Sequence, residues 1–371
     1  MEIKKVNNFG TYLILRLFII LAFCFITYNI TGRIADSEAL LGFIDWNASG
    51  IRTLTAKNVF SFLSPLNNLY LIIISLSSIT SLLTYYLLKK YIDKSNIYFW
   101  YILFITPGLL LYTNTPTKET LFFYPAVLFI ILETNSLFIK NNFQKLFNIL
   151  LRTITFLFMY IIRGEFAITY LIIPAVIFII SNFKLGNILQ KINILKIIVI
   201  SFLLSNIIFF LWNLVFPIDS QNLFFYLFKS FGSSSSSSSL TRNYINIDYL
   251  RSPLNSITIQ YLGLFPTLNE IIYKPYTLII VFESIVSIFL YHRIWKNLFK
   301  VVEKISQLKK IIYLLFIAIT IGYFLIFGNL SSLNLGSGQR FKTNFIPIGL
   351  IFPLIMEKNI RVLLNKKILT N

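Results

Sequence analysis

Cysteine and histidine are almost missing from this chain: Cys24 and His292 are the single examples among 371 residues. A lone cysteine excludes an internal disulfide, and one residue of each kind excludes a Cys/His metal cluster. Only carboxylates are left as ligands for a divalent ion. They too are scarce, with 14 acidic residues against 33 basic ones and a net charge of +19. No Gly-rich nucleotide loop is present, and no internal repeat stands out. Nor does a small-residue cleavage site follow the first apolar stretch. That stretch, preceded by Lys4 and Lys5, reads as an uncleaved first span rather than a signal peptide.

Apolar residues dominate instead: 56% of the chain is hydrophobic, with 38 Phe and a mean hydropathy of +0.75. Several runs approach the roughly 20 residues that cross a bilayer. The expected fold is all-α, a polytopic helical bundle forming one integral membrane domain over residues 1–371. Periodicity and length suggest ten spans, at 11–30, 69–88, 97–112, 120–139, 146–162, 166–182, 197–217, 275–292, 311–328 and 344–356. With both termini in the cytoplasm, the inner side holds Lys89-Lys90, Lys140/Lys145, Lys184/Lys191/Lys196, the 293–310 segment and the basic tail. Of the 33 basic residues, 22 then lie inside, counting Arg16 and Arg152 near span ends, and 11 outside. This matches the excess of lysine and arginine on cytoplasmic loops. Orientation and attraction to anionic lipids account for the positive charge without nucleic acid. His292, beside Arg293 and Trp295 at the inner end of the eighth span, reads as interfacial and not catalytic.

The outer side is richer in arginine: Arg33, Arg52, Arg163, Arg242, Arg251 and Arg340. The guanidinium fork matches phosphate and carboxylate oxygens. These arginines have two readings, ligands for an anion or partners for the outward carboxylates. Two outer loops are long. The first, 31–68, carries Asp36, Glu38 and Asp45. The second, 218–274, contains the serine run 233–239, a flexible tether by composition, and apolar segments near 222–231 and 256–265 too short to cross. Loops of this size place the work on the outer face.

Short outer connections sharpen the site. "TNTPTKE" joins spans three and four, "RGE" at 163–165 joins five and six, and "GSGQRFKTN" at 336–344 precedes the last span. Thr115 or Thr117 is expected to cap span four, with Pro116 in its first turn. Glu119 there complements the helix macrodipole, while Lys118 opposes it and is better explained by an anion it must meet. Arg163 and Glu165 repeat the combination, for which a local salt bridge is the plain alternative. Arg340 follows a glycine-flanked turn whose amides suit an oxyanion.

At "PTKETLFFYPAVLFIIL" (116–132), "YIIRGE" (160–165) and "GQRFKTNFIPIGLIFPLI" (338–355), the chain resembles the Wzy-type oligosaccharide repeat-unit polymerases. Those membrane enzymes assemble O-antigen, part of lipopolysaccharide, and capsular polysaccharides. The resemblance implies a multi-pass protein of the bacterial inner membrane. It also implies periplasmic glycosyl transfer between two polyprenyl-pyrophosphate-linked oligosaccharides, without a cofactor. The growing chain leaves its lipid carrier for the terminal sugar of the next repeat unit. Lys118, Glu119, Arg163 and Arg340 match the family pattern. Glu165 lacks such support, and Arg242 and Arg251 are placed only by lying in the large loop. A chain-length regulator and a flippase are the expected partners. Lys118, Arg163, Arg340, Arg242 and Arg251 would bind the pyrophosphate. Glu119 ranks first as general base, then Glu165, Asp248 and Asp45. Tyr244, Tyr249 and Tyr261 are candidates to stack on sugars. Related ligases use a late periplasmic histidine, which is absent here. Two other classes compete. A polyprenyl-monophosphate-sugar glycosyltransferase would use Asp36, Glu38 or Asp45. A lipid-linked oligosaccharide flippase would show broken helices at the midplane, and only Glu283 lies well inside a span.

Overall fold

Apolar runs of about 20 residues become helices because a helix satisfies its backbone hydrogen bonds within one segment inside a bilayer. The computed structural model describes residues 9–31, 37–43, 51–91, 107–137, 139, 141–182, 194–215, 265–274, 277–303, 305–328 and 335–369. Among these residues there is no strand. Six helices there are long and apolar enough to cross a membrane: Thr11–Asn29, Leu69–Lys89, Asn142–Ile180, Ile194–Trp212, Leu278–Val302 and Leu308–Leu325. Five of them coincide with expected spans. The sixth, Asn142–Ile180, joins expected spans five and six into 39 residues. The chain divides into two compact units, Met1–Ala167 and Ile168–Asn371.

In the first unit, α1 (Phe9–Thr31) and α4 (Leu69–Tyr91) pack side by side. Cys24 and Ile20 from α1 meet Ile73 from α4, and Leu110 and Leu111 from α5 (Pro107–Asn114) complete that cluster. The described part of the first long loop is helical. Its α2 (Ser37–Leu40), α3 (Ile51–Phe60) and a 3-10 turn over Ser61–Leu66 press Leu40, Ala56, Phe60 and Leu63 onto Ile72 and Leu76. Helix α6 (Lys118–Ser136) runs antiparallel to the start of α7 (Asn142–Tyr170). Phe129 faces Phe156, and Arg152 pairs with Glu133 at 2.6 Å. Arg152 is thus engaged in a helix–helix pair and is more than an orienting charge.

Helix α5 departs from the expected layout. Asn114 bonds Ser77 and Thr80, while Leu110 clusters with Ile73, so α5 runs in the same sense as α4. Alternating spans at 69–88 and 97–112 would run in opposite senses. The eight described residues of α5 extend about 12 Å, less than half of a core of about 30 Å. Thr115 precedes a proline, which disfavours helical backbone there. Residues 92–106 of the third span lie outside the described residues.

The second unit contains α8 (Ile172–Asn182), α9 (Ile194–Val215), α10 (Leu268–Tyr273), α11 (Leu278–Val302) and α12 (Ser306–Gly322), the last followed by a π-helical stretch, Tyr323–Gly328. Its last elements are α13 (Leu335–Ile346), a second π stretch over Pro347–Ile351, and α14 (Phe352–Leu369). Trp295, Phe299, Phe316 and Phe352 form its aromatic centre. The glycine-flanked turn expected at 336–344 is helix, which removes the proposed nest of backbone amides before Arg340. His292 lies inside α11, which continues to Val302, rather than at a helix end.

Candidate functional site

The segment "TNTPTKE" is a break between two helices. Helix α5 stops at Asn114, residues 115–117 are bent, and α6 starts at Lys118 with Thr117 as its cap. The Thr117 hydroxyl accepts from the Thr120 amide at 3.3 Å. Pro116 therefore precedes the cap and is not in the first turn.

A helix that ends inside a bundle leaves carbonyls with no backbone partner. Here side chains supply the donors. Thr115 Oγ1 donates to the Leu111 carbonyl at 2.8 Å, and Thr117 Oγ1 to that of Tyr112 at 2.6 Å. Ser77 Oγ donates to the Asn114 carbonyl at 3.1 Å, and Thr120 Oγ1 to that of Thr115. The threonines are what allow an irregular stretch in an apolar setting. Asn114 abuts Ser77 and Thr80, roughly 12–17 Å along the axis of α4. The end of α5 is thus set against the middle of α4.

Four charged residues singled out from sequence meet at this break. Glu119, in the first turn of α6 and fully buried, accepts a hydrogen bond from Arg163 Nη2. Arg163 occupies the one non-helical position inside α7, with φ −149° and ψ 69°. Two residues on, Glu165 Oε2 accepts from Arg52 Nη1 at 2.6 Å, and Lys118 Nζ donates to Thr53 Oγ1 at 2.7 Å. Arg163 and Glu165 therefore reach to different helices, in place of a purely local pair. Gly164 between them makes room: a Cβ there would lie 3.2 Å from the Tyr160 ring and 3.6 Å from Arg52 Nη2.

Three cations and two carboxylates leave one positive charge in excess. The Glu119–Arg163 pair is buried, whereas the Arg52 side chain is 47% exposed and Glu165 is 11% exposed. Glu165 Oε1 is buried with no hydrogen-bond partner among the described residues. One buried carboxylate oxygen is thus left without a hydrogen-bond partner beside an accessible guanidinium. The reading of outer arginines as carboxylate partners holds for Arg52 and Arg163.

From sequence Arg52 was only one of six outer arginines and Thr53 was not singled out, because nothing in the loop's composition shows that α3 folds back onto α6 and α7. Arg340 lies on α13 in the second unit and is half-buried. Arg242, Arg251, Asp36, Asp45, Asp248, Tyr244, Tyr249 and Tyr261 lie outside the described residues. Within the second unit, a cavity of about 130 Å³ is lined by Glu283, Ser284, Tyr291, Thr320, Tyr323 and Lys342, among others. Lys342 Nζ donates to Ser284 Oγ there at 2.7 Å. The described residues contain no group of three or more His, Cys, Asp or Glu able to hold a metal ion.

Compared with protein-family models, curated proteins and solved structures, the chain matches none.

Proposed function

We propose that this membrane protein is a glycosyltransferase of the repeat-unit polymerase type, acting on polyprenyl-pyrophosphate-linked oligosaccharides. The observation that carries the reading is the convergence of Lys118, Arg163 and Arg52 with Glu119 and Glu165 at a helix break in the first unit. Ionisable groups at such depth are expensive and mark a substrate path. In the proposed reaction the acceptor hydroxyl attacks the anomeric carbon of the donor. The bond to the lipid pyrophosphate breaks, its electron pair passes to the phosphate oxygen, and the hydroxyl proton goes to a carboxylate. Lys118, Arg163 and Arg52 stabilise the departing charge. Donors of this kind are worth on the order of 10²–10³ in rate.

Glu165 fits the base better than Glu119, reversing the order expected from sequence. Glu119 is fully buried against Arg163, while Glu165 keeps one oxygen without a partner. Glu119 then serves to hold Arg163 in place. Arg340 enters through the family resemblance alone.

A second reading, a lipid-linked oligosaccharide transporter, is favoured by the broken helices and by Glu283 and Lys342 at an internal cavity. One experiment separates the two. Arg163→Ala, Arg340→Ala and Glu165→Gln are each expected to leave the protein inserted and to reduce surface polysaccharide to a single repeat unit on its anchor. Full-length polymer from all three, or loss of even the single unit at the surface, removes the polymerase reading. Loss of the single unit in Glu283→Gln as well would favour transport.

A further inference from the structure

Arg16 was placed by sequence among the orienting charges near the start of the first span. It is instead 1% exposed, and its Nε donates to Ser81 Oγ on α4 at 3.0 Å. Its Nη2 donates to Asn114 Oδ1, the last residue of α5, at 3.4 Å. The same Oδ1 accepts from Thr80 Oγ1 at 2.6 Å, and Asn114 Nδ2 donates to the Leu110 carbonyl at 2.6 Å. Tyr124, six residues into α6, adds its hydroxyl, 3.2 Å from Thr84 Oγ1. One guanidinium therefore joins α1, α4 and α5 at the point where the helix breaks. A cation also belongs at that place, because the C-terminus of a helix carries partial negative charge.

We infer that Arg16 is a positioning residue: it pins the end of α5 so that the turn 115–117 delivers Lys118 and Glu119 to Thr53 and Arg163. The chain of contacts is short. Asn114 fixes the last turn of α5, Thr115 and Thr117 fold back onto its carbonyls, and Thr117 caps the helix that opens with Lys118. The bonds of Arg16 to Ser81 and Asn114 lead on to Lys118 and Glu119. It acts on them through three residues of backbone. An orienting charge would sit in water or among headgroups. A buried guanidinium, by contrast, is retained where its fork of donors fixes an arrangement that a lysine point charge holds less well.

The inference deepens the proposed function, since it concerns the same charged site, but its decisive measurement needs no turnover. The full-length protein in native membranes carries Cys24→Ala, so that Lys118→Cys becomes the only cysteine. Its labelling rate by a membrane-impermeant maleimide reports how the break is held. Arg16→Met is expected to change that rate at least about tenfold, in line with losing hydrogen bonds from a charged donor. Arg16→Lys should recover part of the change. Arg16→Met combined with Asn114→Leu should be no worse than Arg16→Met alone, because both act through one network. Should Arg16→Met fail to accumulate, Ser81→Ala removes one of its bonds and should shift the rate in the same direction by a smaller factor. In the chain with Lys118 intact, Arg16→Met should also lower polymer yield at equal protein level. Unchanged labelling in Arg16→Met, or in Ser81→Ala where the former does not accumulate, overturns the inference. So do effects of Arg16 and Asn114 that simply add. Altered labelling with unaltered polymer would keep the positioning role and count against the proposed activity.

Discussion

Glu119 and Arg163 form a deeply buried charge pair in the first unit, and their burial decides how each can be tested. The Glu119 side chain is 0% exposed and that of Arg163 is 9% exposed. Removing one partner leaves the other charge buried and uncompensated, at about 3–5 kcal/mol. Replacing both by apolar residues of similar size removes that penalty. Glu119→Gln or Arg163→Met alone is therefore expected to lower thermal stability in detergent strongly. Glu119→Leu/Arg163→Met should recover much of the loss and remain inactive. A double variant as unstable as the sum of the singles would show that the pair is not coupled. Arg52→Ala is expected to behave in the opposite way. Exposed ion pairs contribute about 0–1 kcal/mol, so stability should hardly change while polymer yield falls.

Helix starts and breaks are where the sequence was most informative, and also where it misled. Thr117 caps α6 as the Ser/Thr rule requires, and Thr117→Ala should cost about 1 kcal/mol, read as a lower melting temperature with normal membrane insertion. A wild-type melting curve would mean that Pro116 and Thr120 alone define the start. The apolar period located most long helices within a few residues, because length and hydropathy follow directly from bilayer thickness. Direction did not follow. Nothing in "PGLLLYTN" says that eight residues run alongside α4 in its own sense, since that depends on Asn114 meeting Ser77, Thr80 and Arg16. The charged motifs "KE" and "RGE" were legible as a candidate cluster because such residues are costly among apolar ones. Their cross-pairing was not, because it rests on contacts between residues 44 and 113 positions apart. The glycines of "GSGQR" suggested a turn and are helix instead. Gly349, further on, marks a close approach. A Cβ there would run into the Phe345 ring, and the Gly349 carbonyl accepts from Trp295 Nε1 at 2.9 Å.

For the whole molecule, the 39-residue stretch from Asn142 to Ile180 holds the key to topology. A straight helix of that length would extend about 58 Å, nearly twice the hydrocarbon thickness of about 30 Å. Such a stretch must bend, and Arg163 is the position inside α7 whose backbone leaves the helical region. The break divides it into two pieces of about the length that crosses once. The flanking charges agree in sign, with Lys140 just before the stretch, Lys145 in its first turn, and Lys184 and Lys191 after it. Positive charge is retained on the cytoplasmic side, so the proposed topology puts both ends there and Arg163 at the opposite, outer end. Single cysteines at 145 and 184, in a chain carrying Cys24→Ala, are expected to react with an impermeant reagent only after the cytoplasmic face is opened. A cysteine at Arg52, beside Glu165, should react from outside. Labelling of 145 and 184 from opposite faces would make the stretch a single tilted crossing. The charged site would then lie in the middle of a continuous wall, where a pyrophosphate headgroup has no route to it.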